Sequence, residues 1–323
     1  GSSGLSTSTG NNTTTGTAVT VFAGEVGTIS EVLSNSANYT ATLACTGNGT
    51  ALAGNSLTIN ATDTAITCTQ TNTRKSAQLT LVKTWSNARN GETATVTSAS
   101  FTNTATTGLS TSTGNNTTTG TAVTVFAGEV GTISEVLSNS ANYTATLACT
   151  GNATALAGNS LTINAADTAI TCTQTNTRKS ATLTLVKTWS NARNGETATV
   201  TSASFSNNAT TGLSTSTGNN TTTGTAVTVF AGEIGTISEV LSNSANYTAT
   251  LACTGNATAL AGNSLTINPA DTAITCTQTN TRKSAQLTLV KTWVTARNGE
   301  TATVTSSGFT NNATTGLSTS TGN

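Results

Sequence analysis

The chain has 323 residues, with 12 basic and 12 acidic side chains, no histidine, and only 7 % charged and 4 % aromatic residues. Balanced charge excludes the concentrated basic face that nucleic acid requires, and the lack of histidine removes serine-protease-type triads, imidazole zinc sites and the usual near-neutral general base. No apolar run approaches the roughly 18–20 residues that span a bilayer, and no leader-like segment is visible, so the chain reads as a piece of something longer.

One period organises the chain. Gly4-Leu5-Ser6-Thr7-Ser8-Thr9 returns at Gly108, Gly212 and Gly316, a spacing of 104 residues, giving near-identical repeats 4–107, 108–211 and 212–315. That length suits a complete small domain and is too long for a solenoid unit. Gly1-Ser2-Ser3 breaks the repeat and reads as a cloning remnant. Copies differ mostly at turn-like or exposed positions: Ala61 becomes Ala165 and Pro269, and Gly49 becomes Ala153 and Ala257.

Within a copy, hydrophobicity alternates with period two between Gly/Asn/Ser punctuation, which predicts strands and no helices. In chain order, the Ser/Thr/Gly/Asn tract Leu5–Gly16 reads as a surface loop. Strands are expected at Thr17–Phe22, Thr28–Leu33, Tyr39–Cys45, Leu57–Asn60, Ala65–Thr73, Leu79–Trp85 and Glu92–Ser98. Turns are expected at Ala23-Gly24, around Asn48, and at Asn87–Asn90 with Gly91. Seven short strands in about 104 residues fit an all-β sandwich of the immunoglobulin-like kind, repeated in tandem.

Side chains two apart on a strand share a face. That rule puts Lys83 with Leu79, Leu81 and Trp85, Glu31 between Ile29 and Leu33, and Asn72 beyond Ile66, Cys68 and Gln70. An unpaired charge in an apolar interior costs several kcal/mol, so the inward lysine needs a partner. One reading is a buried Lys–Glu ion pair with the asparagine hydrogen-bonded beside it. The other is chemistry: burial favours a neutral amine and a neutral acid, the amine attacks the asparagine carboxamide, and the glutamic acid moves the protons as ammonia leaves. The product is an intramolecular Lys–Asn isopeptide bond, made once and without turnover.

These residues resemble the Cna-B-like and SpaA-like repeats of bacterial surface adhesins and pilins. Leu79-Thr80-Leu81-Val82-Lys83-Thr84-Trp85 is similar to their opening strand. Phe22-Ala23-Gly24-Glu25, Ile29-Ser30-Glu31 and Asn38-Tyr39-Thr40 are similar to their "AG…E…GY" stretch, with Asn38 where glycine is usual, and Thr71-Asn72-Thr73 to their closing strand. The resemblance implies a prealbumin-like sandwich whose first and last strands are joined by the isopeptide bond. It implies the sets Lys83–Glu135–Asn176 and Lys187–Glu239–Asn280, with Glu135 and Glu239 as catalysts. It also sets the register: folding units at 76–179 and 180–283, an incomplete sandwich at 1–75 lacking its first strand, and the opening strands of a further domain at 284–323. Glu31 and Asn72 then have no lysine, and Lys291 has no asparagine. The alternative register is a permuted unit running from Gly4 to Thr107.

Each copy carries one cysteine pair, Cys45/Cys68, Cys149/Cys172 and Cys253/Cys276. Both members point inward, and their spacing has no CxxC character, so a metal site is not expected. A disulfide and two buried thiols are both open readings; the even count and an extracellular setting favour the disulfide. Scattered acids make no calcium loop, and no cofactor is expected. The function expected is a structural stalk or fibre repeat of a bacterial cell-surface adhesin, extracellular, resisting force and projecting a tip. Its partners are neighbouring repeats and copies of itself added head to tail by strand complementation, with neither nucleic acid nor membrane insertion. The alternative is a repeat that binds glycan or ice through outward threonine ladders such as Thr67/69/71/73 and Thr93/95/97. An enzyme acting on an external substrate has little support, since Asp63 and Glu92 stand in turn or strand-edge contexts and no carboxylate pair is evident.

Overall fold

A computed structural model describes residue 4 and residues 6–322; Gly1, Ser2, Ser3, Leu5 and Asn323 lie outside it. Among the described residues every regular element is a strand apart from three single 3-10 turns. The chain is all-β and divides into two compact units, residues 1–179 and 180–323.

In the first unit, residues 76–178 close two sheets. One runs in the order Ser160–Thr162, Val130–Leu137, Thr93–Ala99, Ser110–Thr111. The other runs Tyr143–Thr150, Ala169–Arg178, Ser76–Ser86, and then Thr117–Thr119 and Val123–Phe126, both paired to the far edge of Ser76–Ser86. The opening strand Ser76–Ser86 and the closing strand Ala169–Arg178 are parallel neighbours, with Lys83 opposite Gln174 and Trp85 opposite Asn176. All other pairings in this sandwich are antiparallel. Parallel ends mean that the chain enters at one end of the sandwich and leaves at the other. The second unit repeats the arrangement with Ser180–Ser190 and Ala273–Arg282 as its opening and closing strands.

Alternation builds the core as the residue types dictate. Leu79, Leu81, Val96, Ile133, Leu161 and Ile170 are buried in one cluster between the sheets, each fully buried aliphatic side chain contributing about 1.5–3 kcal/mol. A smaller cluster at one end holds Trp85, Ala94 and Tyr143, the two rings edge to face at 5.7 Å. Gly131 lies where a Cβ would fall 2.4 Å from both the Ala99 carbonyl oxygen and the Phe101 ring, so only glycine fits. Cys149 and Cys172 face each other on the antiparallel pair Tyr143–Thr150 and Ala169–Arg178 and form a disulfide, as do Cys45–Cys68 and Cys253–Cys276.

Two expectations are corrected. The serine/threonine tract is an exposed loop over residues 6–16, as expected, but its copy at 109–120 contributes two short strands, Ser110–Thr111 and Thr117–Thr119, one in each sheet. Ser110 and Ser112 there are buried. Ser110 Oγ accepts a bond from the Trp85 indole at 3.1 Å, and Ser112 Oγ donates to the Arg89 carbonyl. The hydroxyls satisfy buried groups, so the tract needs no apolar alternation to go inside. The second correction concerns the first copy. Thr17–Phe22 is not a strand there, and Thr28–Leu33 is replaced by a three-residue strand Val26–Thr28. The corresponding residues one period later form Val123–Phe126 and Val130–Leu137. Those strands pair with Ser76–Ser86 and Thr93–Ala99, and the leading segment has no counterpart of either strand among the described residues.

Candidate functional site

The parallel opening and closing strands bring the candidate residues together. Lys83 follows Leu79 and Leu81 on the inner face, and Asn176 follows Ile170 and Cys172, so both side chains enter the same interior and both are fully buried. Glu135 reaches them from Val130–Leu137 in the facing sheet. Lys83 Nζ lies 3.5 Å from Glu135 Oε1, and Asn176 Nδ2 donates to that same oxygen at 2.9 Å. Asn176 Oδ1 is buried without a hydrogen-bond partner.

The remaining contacts of the lysine are to backbone and ring. Its Nζ donates to the Thr84 carbonyl at 2.8 Å and to the Gln174 carbonyl at 3.5 Å, and sits 4.2 Å from the centre of the Trp85 ring. Burial pushes the Lys83 pKa below the ordinary lysine value, and the Glu135 carboxylate draws it part of the way back. The second set is a copy: Lys187 Nζ to Glu239 Oε1 at 3.5 Å, Asn280 Nδ2 to Glu239 Oε1 at 2.9 Å, Asn280 Oδ1 unpartnered, and the Lys187 pKa lowered by the same burial. An amine and a carboxamide on one carboxyl oxygen, screened from water, is a geometry suited to amide exchange.

The remaining site residues are divided between the two ends of the chain. Asn72 Nδ2 donates to Glu31 Oε1 at 2.6 Å, but no lysine joins them among the described residues. Lys291 sits 4.0 Å from the centre of the Trp293 ring and donates to the Thr292 carbonyl, with neither glutamate nor asparagine bonded to it among the described residues. The outward threonines of the closing strand, Thr171, Thr173, Thr175 and Thr177, line the other face of the five-stranded sheet. No group of three or more cysteine, aspartate and glutamate side chains could hold a metal ion among the described residues.

The first comparison is decisive for the fold. Two windows, residues 74–174 and 178–278, match the SpaA prealbumin-like fold domain, together more than half of the chain. The chain belongs to this SpaA family. Among curated proteins, none matches. Solved structures similar to these SpaA repeats include the major pilin from Streptococcus pyogenes, 17 % identical, covering 64 % of this chain and 98 % of that one at a TM-score of 0.35. Others are the pilus adhesin SpaC from Lactobacillus rhamnosus GG, 15 % identical, 68 % and 33 % covered, TM-score 0.31, and the Bacillus anthracis TIE protein, 12 % identical, 68 % and 36 % covered, TM-score 0.34. The chain spans about a third of the length of these last two.

Sequence reasoning missed a second buried polar cluster in each SpaA repeat. Glu92 is buried and accepts from Ser138 Oγ at 2.7 Å and Asn139 Nδ2 at 2.9 Å, while its own N–H donates to Ser112 Oγ. The copy Glu196 has its pKa lowered by the Asn243 and Ser242 hydrogen bonds. Asp167 likewise accepts from the Ala153 and Asn164 N–H groups and clamps a turn. The donors stand 46 and 47 residues from Glu92, beyond the reach of local patterning; only its place beside a turn hinted at a capping role.

Proposed function

We propose that this chain is a stretch of a bacterial cell-surface stalk or fibre, whose SpaA repeats resist force and hold a binding tip away from the cell. Lys83–Asn176 and Lys187–Asn280 isopeptide bonds, formed once by each domain on itself, are part of the proposal. The folding units are the sandwiches of residues 76–179 and 180–283, each entered by its lysine strand and left by its asparagine strand. An extracellular setting accords with the three disulfides.

The observation that carries the reading is the meeting of Lys83 and Asn176, from the two parallel terminal strands, on one oxygen of Glu135. Tension on the chain pulls Ser76 and Arg178 apart along these neighbouring strands. With the two side chains joined, the load passes along the opening strand to Lys83, across to Asn176 and out, and residues between them bear little of it. In the reaction, the neutral Lys83 amine attacks Asn176 Cγ, forming C–N, and the Cγ–Nδ2 bond breaks to release ammonia. Glu135, in its acid form, donates to the carboxamide oxygen and shuttles the amine proton to the leaving nitrogen. A half-turn of the carboxamide brings the unpartnered Oδ1 to that donor, giving the buried acceptor a partner.

Intact mass spectrometry of the denatured chain tests this. Each bond removes about 17 Da as ammonia, so the mass is expected about 34 Da below that of the disulfide-bonded sequence. A mass equal to the disulfide-bonded sequence overturns the chemistry and leaves a buried ion pair.

A further inference from the structure

Several rotatable bonds separate the Lys83 backbone from its amine, and freezing them costs conformational entropy. Amide formation nevertheless needs that amine held at contact distance from one carbon. Glu135 and Asn176 belong to other strands and meet the lysine only when the sandwich closes. The lysine's own strand supplies two further contacts. The Thr84 carbonyl, one residue on, accepts from Nζ at 2.8 Å, and the centre of the Trp85 ring, two residues on, lies 4.2 Å away.

The indole is itself held. Trp85 is buried, its Nε1 donates to Ser110 Oγ at 3.1 Å, and that hydroxyl is bonded in turn to Thr118 Oγ1 at 3.0 Å. The Tyr143 ring meets it edge to face. Ser110 lies in the four-stranded sheet and Trp85 in the five-stranded one, so one hydrogen bond ties the ring to the facing layer. Trp189 repeats the arrangement with Ser214, Thr222 and Tyr247, and Lys187 Nζ lies 4.3 Å from its ring centre.

Lys291 separates the local contacts from the remote ones. No glutamate or asparagine is bonded to it among the described residues, yet it donates to the Thr292 carbonyl at 2.6 Å and keeps its place over Trp293. The Trp293 indole again donates to a serine, Ser318 Oγ, at 2.9 Å. The tryptophan and the neighbouring carbonyl therefore place the amine without help from the reacting partners. The ring's negative face attracts an ammonium and accepts an N–H from a neutral amine, so it holds both forms in one position. All three tryptophans of the chain stand two residues after a lysine of this set.

We propose that Trp85 and Trp189, each locked by its serine, are positioning residues for isopeptide formation, their indole faces holding the lysine amine level with the asparagine before attack. The inference rests on the isopeptide reading above. In the parallel register Trp85 stands opposite Asn176, so an amine folded onto Trp85 is carried to the height of the carboxamide. It attacks Asn176 Cγ there; C–N forms, Cγ–Nδ2 breaks, and ammonia leaves with the proton that Glu135 passes.

The test follows bond formation in the 323-residue chain, synthesised in an oxidising cell-free system, unfolded in denaturant at timed intervals and digested for mass spectrometry. Joined Lys83–Asn176 and Lys187–Asn280 peptides, each about 17 Da light, are counted separately, so one repeat is the control for the other. Trp85→Leu is expected to slow the Lys83–Asn176 bond about tenfold and to leave Lys187–Asn280 unchanged. Trp85→Phe, which keeps a ring face, restores a rate close to that of the wild type. Ser110→Ala slows the bond when Trp85 is present and has no effect in the Trp85→Phe chain, which has no indole N–H to lose. A serine acting on folding alone would slow both. Only chains holding the Cys149–Cys172 disulfide are counted, and if Trp85→Leu yields none, the Ser110→Ala and Trp85→Phe comparison decides. A wild-type rate in Trp85→Leu overturns the proposal, as does Trp85→Phe as slow as Trp85→Leu, or equal slowing by Ser110→Ala in both backgrounds. Absence of both bonds from the wild type overturns the isopeptide reading itself.

Discussion

Replacing each buried set by apolar residues separates the two readings of the site by the sign of the outcome. The perturbation is Lys83→Met, Glu135→Leu and Asn176→Leu, with Lys187→Met, Glu239→Leu and Asn280→Leu in the second repeat, so that no polar group is left orphaned. A buried ion pair is expensive to desolvate, and exchange for apolar side chains of similar volume is commonly neutral or stabilising by about 1–4 kcal/mol. A covalent tie behaves otherwise. Lys83 and Asn176 stand 93 positions apart, and closing a loop of that length removes about 4–5 kcal/mol of unfolded-state entropy. At about 4–8 °C per kcal/mol for domains of this size, loss of the tie lowers Tm by about 20 °C or more. Calorimetry of wild type and variant, with the intact mass of each sample measured alongside, makes the comparison. An unchanged or higher Tm in the variant refutes the cross-link.

Three further outcomes are expected. Asn176→Ala with Asn280→Ala leaves Lys83 and Lys187 as amines whose pKa values burial lowers from 10.5; between those lowered values and 10.5 the unfolded chain binds more protons, so urea midpoints of this variant rise with pH across that window, while the cross-linked wild type shows no such rise. Cys149→Ala with Cys172→Ala opens a disulfide of sequence separation 23 and lowers the stability of its repeat by about 3 kcal/mol in urea titration; an unchanged midpoint removes the disulfide from the account of stability. Gly235→Ala places a Cβ 2.3 Å from the Phe205 ring and 2.5 Å from the Ala203 carbonyl oxygen, expected to cost about 1–3 kcal/mol, and thermal melting of the variant measures it.

The inner faces of these strands are legible in the sequence because the period of two leaves one answer: Lys83 shares a face with Leu79, Leu81 and Trp85, and Asn176 with Ile170 and Cys172, in both reading and structure. The strand that holds Glu135 is legible for the same reason. The buried serine tract is not. Ser110 and Ser112 go inside because Trp85 Nε1 and the Arg89 carbonyl need partners, and those needs arise only once the sheets are formed. Glu92 escapes notice likewise, since its donors Ser138 and Asn139 stand at the end of Val130–Leu137, the neighbouring strand of its own sheet, brought beside it only by the pairing. Local alternation reports which side of a strand is apolar; it carries no word of which remote polar atoms will require one another.

Repetition within the chain also supplies its own control on what makes a strand. Ser76–Trp85 and Ser284–Trp293 have the same sequence, yet the first lies within an eleven-residue strand and the second forms no strand. The difference lies in partners: the first is paired on one edge with Ala169–Arg178 and on the other with Thr117–Thr119 and Val123–Phe126. In the leading segment, which has no such opening strand among the described residues, Thr17–Phe22 forms no strand and Glu31 is exposed. The opening strand is thus the one on which the rest of the sandwich depends. On the stalk reading proposed above it is also the strand that tension would peel first, and the proposed bond from Lys83 to the neighbouring closing strand would hold that element in place.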